Sequence, residues 1–299
     1  MSSPDGPPPE PPGTEVAPGY RLIEHIARGR ALDVHDAWSD LRGTRCIAKM
    51  LRPDRAGDAS AARRLLAEGR LIRRLSHPHI VRGYEALTAP RPLVVMETLT
   101  GRTLAHLIDE SPRRLPVTEI AHLGLHLGSA IRYLHGEGWL HLDLKPSNVV
   151  AEAGRAKLID MSVARRPGRA PAGVGTWCYM APEQVEGGAL GPPADVWGLG
   201  VVLYEATTGQ SAFDPTSSGP TRDPSSYSSS GSDTGKRPYR QIDGPPPPVR
   251  RLRRAPAPLV ALIDACLRPD PTRRPTVEGV LRALEPLAGL PRRERQFAR

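Results

Sequence analysis

The apolar residues of this 299-residue chain change their spacing once, near residue 100, and that change limits the fold more than any other feature. From Tyr20 to Leu99 they come in short runs, RLIEHIA, VHDAW, RCIAKML, IVRGYEAL and PLVVMET, divided by turn residues such as Arg42-Gly43. Such runs read as strands. One helix interrupts them. It starts near Asp58, whose side chain can cap the first turn, carries Leu65, Leu66, Ile72 and Leu75 on or near one face, and stops before Pro78. After Thr100-Gly101 the spacing becomes three and four: Thr118 to His135 sets Ile120, Leu123, Leu127, Ile131 and Leu134 on one stripe, ended by Gly136 and Gly138. Ala194 to Thr208 and Leu259 to Leu267 read as further buried helices. The expectation is an α+β fold, with a small β-rich lobe of five strands and one helix over 19–99 and a larger, mainly helical lobe over 100–285.

Three segments fall outside that pattern. Residues 1–18 are rich in Pro and Gly with almost no apolar content, so they are expected to be a disordered tail. The stretch at about 214–248 is dominated by Ser, Thr, Gly and Pro and reads as a mobile insertion, with eleven Ser or Thr between 216 and 234. Residues 286–299 form a basic C-terminal tail.

Composition removes several classes of function. No run reaches the ~18–20 apolar residues of a membrane span, and the start, MSSPDGPPPEPPG, has neither the basic region nor the apolar run of a signal peptide. Cys46, Cys178 and Cys266 are odd in number and far apart, which fits reduced thiols better than a disulfide framework. A cytoplasmic location is expected. The net charge of +9 would suit an acidic partner, yet the arginines are scattered, only two Phe occur, and no basic and aromatic residues alternate as a base-stacking surface requires. Nucleic acid is therefore not expected as a partner. Of 41 basic residues only Lys49, Lys145, Lys157 and Lys236 are lysines, so lysine marks a few chosen positions. His122 and His126 lie four apart on a helix, but no third ligand accompanies them and no metal is expected there.

The segment His141-Leu142-Asp143-Leu144-Lys145-Pro146-Ser147-Asn148 resembles the catalytic loop of protein kinases, with Leu142 where Arg usually stands. Leu158-Ile159-Asp160-Met161-Ser162 resembles the family's metal-binding motif, with Met for Phe and Ser for Gly. Cys46-Ile47-Ala48-Lys49 resembles its third strand. Gly175 to Glu183, Asp195 to Gly200 and Asp270 to Thr276 resemble the end of the activation segment, the helix after it and a later structural motif. The likeness covers about residues 20–285 and implies a two-lobed serine/threonine protein kinase of the bacterial type, using ATP and Mg²⁺ on protein substrates and on itself.

By that resemblance Asp143 takes the proton of the acceptor hydroxyl, Lys145 sits near the transferring phosphoryl, and Asn148 and Asp160 hold Mg²⁺. Lys49 holds the α and β phosphates and is oriented by Glu68. ATP lies beneath residues 26–34, so Ile26, Ala27, Gly29, Val34 and Ile47 are nucleotide contacts, with Met96 behind the adenine and the backbone of Glu97 to Leu99 holding it. Glu183 pairs with Arg274, Asp195 caps the catalytic loop, and Thr176 lies against Asp143 and Lys145. The segment Ile26 to Val34 keeps only the middle one of three family glycines, Gly29. Departures at Ala27, Leu32, Ile47, Leu142 and Ser162 leave a second reading open, a pseudokinase that binds nucleotide or acts as a scaffold. The sequence does not speak to oligomeric state.

Overall fold

Strand alternation gives the first part of the chain two unlike faces. In β4 (Thr44–Leu51), Cys46, Ala48 and Met50 are buried in one apolar cluster, whereas Ile47 and Lys49 belong to the other face. A computed structural model describes residues 6–110, 114–214 and 239–289. Two units emerge: one runs to Thr100 and takes in Asp160–Ser162, and the other holds Gly101–Ile159 and the chain from Val163 onward.

The first unit is an antiparallel six-stranded sheet in the order β1-β2-β3-β4-β6-β5. Its strands are β1 (Glu15–Ala17), β2 (Tyr20–Arg28), β3 (Leu32–Ser39), β4, β5 (Gly83–Leu87) and β6 (Leu93–Glu97). Tyr20, Leu22, Ala37, Cys46, Ala48, Met50, Leu93 and Val95 fill one face together with Val16 and Ala17. Helix α1 (Ala59–Ile72) packs over the other, where Gly69 meets Val94 and Ala86. Asp58 caps it, its carboxylate accepting the N–H groups of Ser60 at 3.0 Å and Ala61 at 2.9 Å.

The first eighteen residues are not all the free tail that their composition implies. β1 pairs with β2, Val16 and Ala17 are buried, the Pro7 carbonyl accepts from Arg28 at 2.7 Å, and Glu10 pairs with Arg91 at 2.8 Å. An edge strand offers unpaired backbone groups, so two apolar residues suffice to seat a short strand on it. Composition averages over that.

The second unit begins with β7 (Arg102–Thr103) and α2 (Leu104–Glu110), followed by α3 (Val117–Gly136). A sheet in the order β7-β8-β9 adds β8 (Val149–Glu152) and β9 (Arg155–Leu158), and a ribbon pairs β10 (Gly168–Ala170) with β11 (Gly188–Leu190). Between the strands of that ribbon lies α4 (Pro182–Glu186), and then come α5 (Pro192–Thr208), α6 (Arg240–Asp243), α7 (Val249–Leu252), α8 (Ala257–Cys266) and α9 (Val277–Leu284). Helix α5 is mostly apolar and buried on every side from Ala194 to Thr208, as a helix at the centre of a lobe must be. The insertion expected at 214–248 is shorter at its far end: Gln241 on α6 is buried and donates to the Trp177 carbonyl at 2.7 Å, and Tyr204 donates to the Pro247 carbonyl at 2.8 Å. Residues 215–238 lie outside the described residues, as do 290–299. The C-terminal tail starts later than 286, because a 3₁₀ turn over Glu285–Ala288 buries Ala288. Among the described residues no helix is long and apolar enough to cross a membrane. All three cysteines are free and buried.

Glu205 lies inside α5, 1% exposed, with the Tyr179 hydroxyl donating to it at 3.0 Å. Burial first, opposed by that hydrogen bond, pushes its carboxyl from an ordinary 4.5 to about 7. Between those two values the folded chain holds a proton that the unfolded chain has released, so folding stability falls as pH rises through the window. Glu205→Gln keeps an oxygen for Tyr179 and removes the charge. It should stabilise the fold by roughly 3 kcal/mol at pH 8 and by little at pH 4.5, measured by urea unfolding across pH.

Candidate active site

Three charged residues of the first unit meet at its sheet. Lys49 donates to both oxygens of Glu68 at 2.9 Å, and Asp160 Oδ2 lies 3.4 Å from the same ammonium. Lys49 and Glu68 are 7% and 3% exposed, so this ion pair is buried. Burial alone would depress the Lys49 pKa, but the carboxylates of Asp160 and Glu68 outweigh it and hold the ammonium above its ordinary value. Burial, before any other cause, raises Glu68.

The reason Glu68 arrives there is one turn of α1. A Cβ on Gly69 would stand 2.5 Å from Val94 Cγ2 and 2.9 Å from Ala86 Cβ, so only glycine lets the helix approach the sheet this closely. The Met161 N–H donates to Glu68 Oε1 at 3.3 Å, and the Ser162 N–H to Asp160 Oδ1 at 2.8 Å. The two departures from the family motif therefore act through their backbones.

The residues expected around the nucleotide take these places. Ala27 pairs with Val34, Val34 with Lys49 and Ile47 with Met96. Ile26 is 54% exposed, Met96 is buried, and the Gly29 N–H turns back to the Leu32 carbonyl at 2.7 Å. Glu97 ends β6 with its carboxylate accepting the Arg82 N–H at 2.9 Å, and Leu99 follows, half-buried.

In the second unit Asp143, Lys145 and Asn148 share one loop. Thr176 joins them: its hydroxyl donates to Asp143 Oδ1 at 2.6 Å and accepts from Lys145 Nζ at 2.6 Å, while Lys145 also reaches Asp143 Oδ2 at 3.0 Å. Asn148 spends its amide hydrogens on the Asp143 carbonyl at 3.0 Å and on Oδ2 at 3.1 Å, which leaves its Oδ1 as an acceptor. The Asn148 amide oxygen is a hard donor of the kind divalent metals take, and in the first unit the Asp160 carboxylate is another.

Asp195 shapes the loop from below. It accepts the N–H groups of His141 at 2.9 Å and Leu142 at 2.7 Å, and pairs with His135 Nε2 at 2.8 Å. Leu142 has φ 63°, a left-handed conformation unusual outside glycine, and its side chain is buried. Arg274 grips Glu183 through two bonds of 2.6 and 2.8 Å.

Gln184 was not singled out in the sequence, yet it ties three backbones together. Its amide donates to the carbonyls of Leu142 at 2.8 Å and Val174 at 2.7 Å, and its oxygen accepts the Ala181 N–H at 3.0 Å. Its position directly after Glu183, in a run that is otherwise buried, is the only sequence signal. Gly175 must be glycine here: it has φ 127°, and a Cβ would stand 2.8 Å from the Leu142 carbonyl. The His122 and His126 ring centroids stand 6.2 Å apart, and His126 Nδ1 accepts the Ala156 N–H.

Comparison with known proteins agrees with this geometry. The family model described as protein kinase domain matches residues 20–284. The serine/threonine-protein kinase PkaA of Streptomyces coelicolor is 31% identical over 256 residues, 82% of this chain and 44% of that protein. The serine/threonine-protein kinase PknB of Mycobacterium tuberculosis is 34% identical over 208 residues, 65% of this chain and 33% of the relative. The CBL-interacting protein kinase 4 of rice is 34% identical over 206 residues, 65% and 45%. The chain thus spans less than half the length of these relatives.

Gly69→Ala tests the placement of Glu68. Helix propensity favours alanine by ~1 kcal/mol, whereas forcing a methyl into a packed core costs ~1–3 kcal/mol. With contacts this short the clash should win, lowering the urea midpoint and raising the KM for ATP together.

Proposed function

Because the chain belongs to the protein kinase family, we propose that it transfers the γ-phosphoryl group of ATP to serine or threonine hydroxyls of protein substrates, its own included, with Mg²⁺ as the metal. The observation that carries this reading is the chain of contacts from Lys145 through Thr176 to Asp143. Asp143 accepts the proton of the incoming hydroxyl, and Lys145 supplies positive charge beside it. Lys49, oriented by Glu68, holds the α and β phosphates. Asn148 and Asp160 hold Mg²⁺, which neutralises phosphate charge when bound. Ile26, Ala27, Gly29, Val34, Ile47, Met96 and the backbone of Glu97 and Leu99 contact the nucleotide.

Two of the departures that opened a pseudokinase reading, Leu142 and Ser162, donate their N–H groups to Asp195 and Asp160, which supports an enzyme over a scaffold. Leu142 is buried, and its backbone is still clamped by Asp195. Gly29 keeps the turn, and Met161 is buried like the Phe it replaces.

The test is incubation of the purified chain with labelled ATP and Mg²⁺. Label on protein is expected, and Asp143→Asn should remove at least about a hundredfold of it. Lys49→Ala would leave the buried Glu68 unpaired and confuse folding with chemistry. Lys49→Arg is the sharper variant: it keeps the charge but presents a planar fork in place of a compact ammonium, and turnover should fall while the thermal midpoint stays close to that of the parent.

A second outcome concerns control. Kinases switched by phosphate on the activation segment grip it with the Arg before the catalytic Asp, and here that position is Leu142. Between Val163 and Gly175 no Ser, Thr or Tyr occurs. The segment is instead held by the β10–β11 pairing, by backbone bonds between Arg165 and Leu140, and by Arg166 donating to the Glu137 and Gly138 carbonyls. Protein made with a co-expressed phosphatase should therefore turn over as fast as protein made without it, read by initial rates on one peptide substrate.

A further inference from the structure

His25 and His35 face each other across β2 and β3, and Asp33 lies two residues from His35 on the same face. The register pairs Val34 with Lys49 but His35 with Ala48, so the cluster is on the opposite face from Lys49. One ligand atom from each of His25, Asp33 and His35 lies within 4.8 Å of the others. Asp33 and His35 are each 1% exposed, and the His25 side chain is 28% exposed.

His35 is the unexplained group. Among the described residues neither of its ring nitrogens has a hydrogen-bond partner, although both are buried. An imidazole carries one donor and one acceptor when neutral, and burying either unpaired costs ~1–3 kcal/mol. A fold with an apolar alternative at that position has no packing reason to choose histidine. Burial, and then the neighbouring His25, hold its pKa below the ordinary value.

We propose that His25, Asp33 and His35 form a site for a zinc-type divalent cation on the face of the β2–β3 hairpin opposite Lys49. Two imidazoles and a carboxylate are the donor set of three-ligand zinc sites, with a fourth position left for water or another ligand. Bonds of ~2.0–2.1 Å at tetrahedral angles place ligand atoms about 3.3 Å apart. His25 Nε2 and Asp33 Oδ1 already stand 3.3 Å apart, so closing the site needs His35 and His25 to turn their rings inward. The rings are 5.0 Å apart between centroids, edge to face. Partly exposed His25 supplies both the freedom to move and the route in.

Arg28 is the obvious competitor, since it binds Asp33 through Nε at 2.8 Å and a terminal nitrogen at 2.9 Å. A carboxylate has about four lone-pair positions, and Arg28 occupies two of them. Binding the cation displaces the His25 contact with Asp33 and moves the His25 proton to Nδ1, leaving the Arg28 pair intact. Arg28 in turn donates to the Pro7 carbonyl, so the cation would pin β2, β3 and the N-terminal segment at the root of the 29–31 turn.

The experiment uses the untagged 299-residue chain, stripped with chelator and titrated with Zn²⁺ against a chromophoric competitor in excess Mg²⁺. One tight Zn²⁺ per chain is expected, along with slower amide hydrogen exchange confined to residues 20–39. His25→Ala, at a partly exposed position that should not disturb folding, should weaken binding at least about tenfold, the loss that even an outer-shell partner of a metal costs. His35→Gln should do the same and abolish the exchange protection, while His122→Ala should change nothing. Absence of stoichiometric Zn²⁺ binding in the parent chain overturns the proposal. So does binding that survives His25→Ala, or exchange protection that maps elsewhere.

Discussion

The buried carboxylate of Asp195 governs the second unit, because the loop that carries Asp143, Lys145 and Asn148 has no regular structure of its own to hold it. Two backbone N–H groups, from His141 and Leu142, end on that carboxylate. Holding Leu142 at positive φ costs ~1–3 kcal/mol, and hydrogen bonds to a charged acceptor contribute ~1.5–3 kcal/mol each, so two of them outweigh the strain. The carboxylate can be buried because α5 delivers it already facing three donors, with His135 the third. Gln184 completes the frame by tying the Leu142 carbonyl to the segment that brings Thr176. Remove the carboxylate and the strained backbone has no reason to persist.

The first unit solves the same problem with a sheet. One face of β4 is plain core, and the other presents Lys49 to Glu68, which α1 can deliver only because Gly69 lets it lie close to Val94. A charge buried this deeply is tolerable when paired, and costly when either partner is removed. The same alternation that sends Lys49 to one face sends His35 to the other. One sheet therefore carries polar clusters on its two faces and, on our reading, different ligands.

Element type was legible in the sequence wherever the apolar period was long: α3 spans Val117–Gly136 where the pattern indicates 118–135, and α5 starts two residues before its predicted start. The polar cluster on the loop was legible too, because Asp143, Lys145 and Asn148 lie within six residues and the structure brings their side chains into contact. The N-terminal strand was not legible, since Glu15–Ala17 depends on the free edge of β2. Gln184 and the pairing of His25 with His35 were also hidden: one acts on carbonyls up to 42 residues away, and the other appears only once the β2–β3 register is known.

By itself the sequence determined the kinds of element, the unusual sparing use of lysine, and the short motifs in which chemistry needs fixed spacing along a chain. Tertiary structure decided which buried charges are paired, which backbone groups a side chain satisfies, and which residues of a strand share a face with a neighbour. The physical reason is that helix period and loop motif are local properties of the chain, whereas the burial of Glu68, Asp195 and His35 depends on residues brought together from far along it.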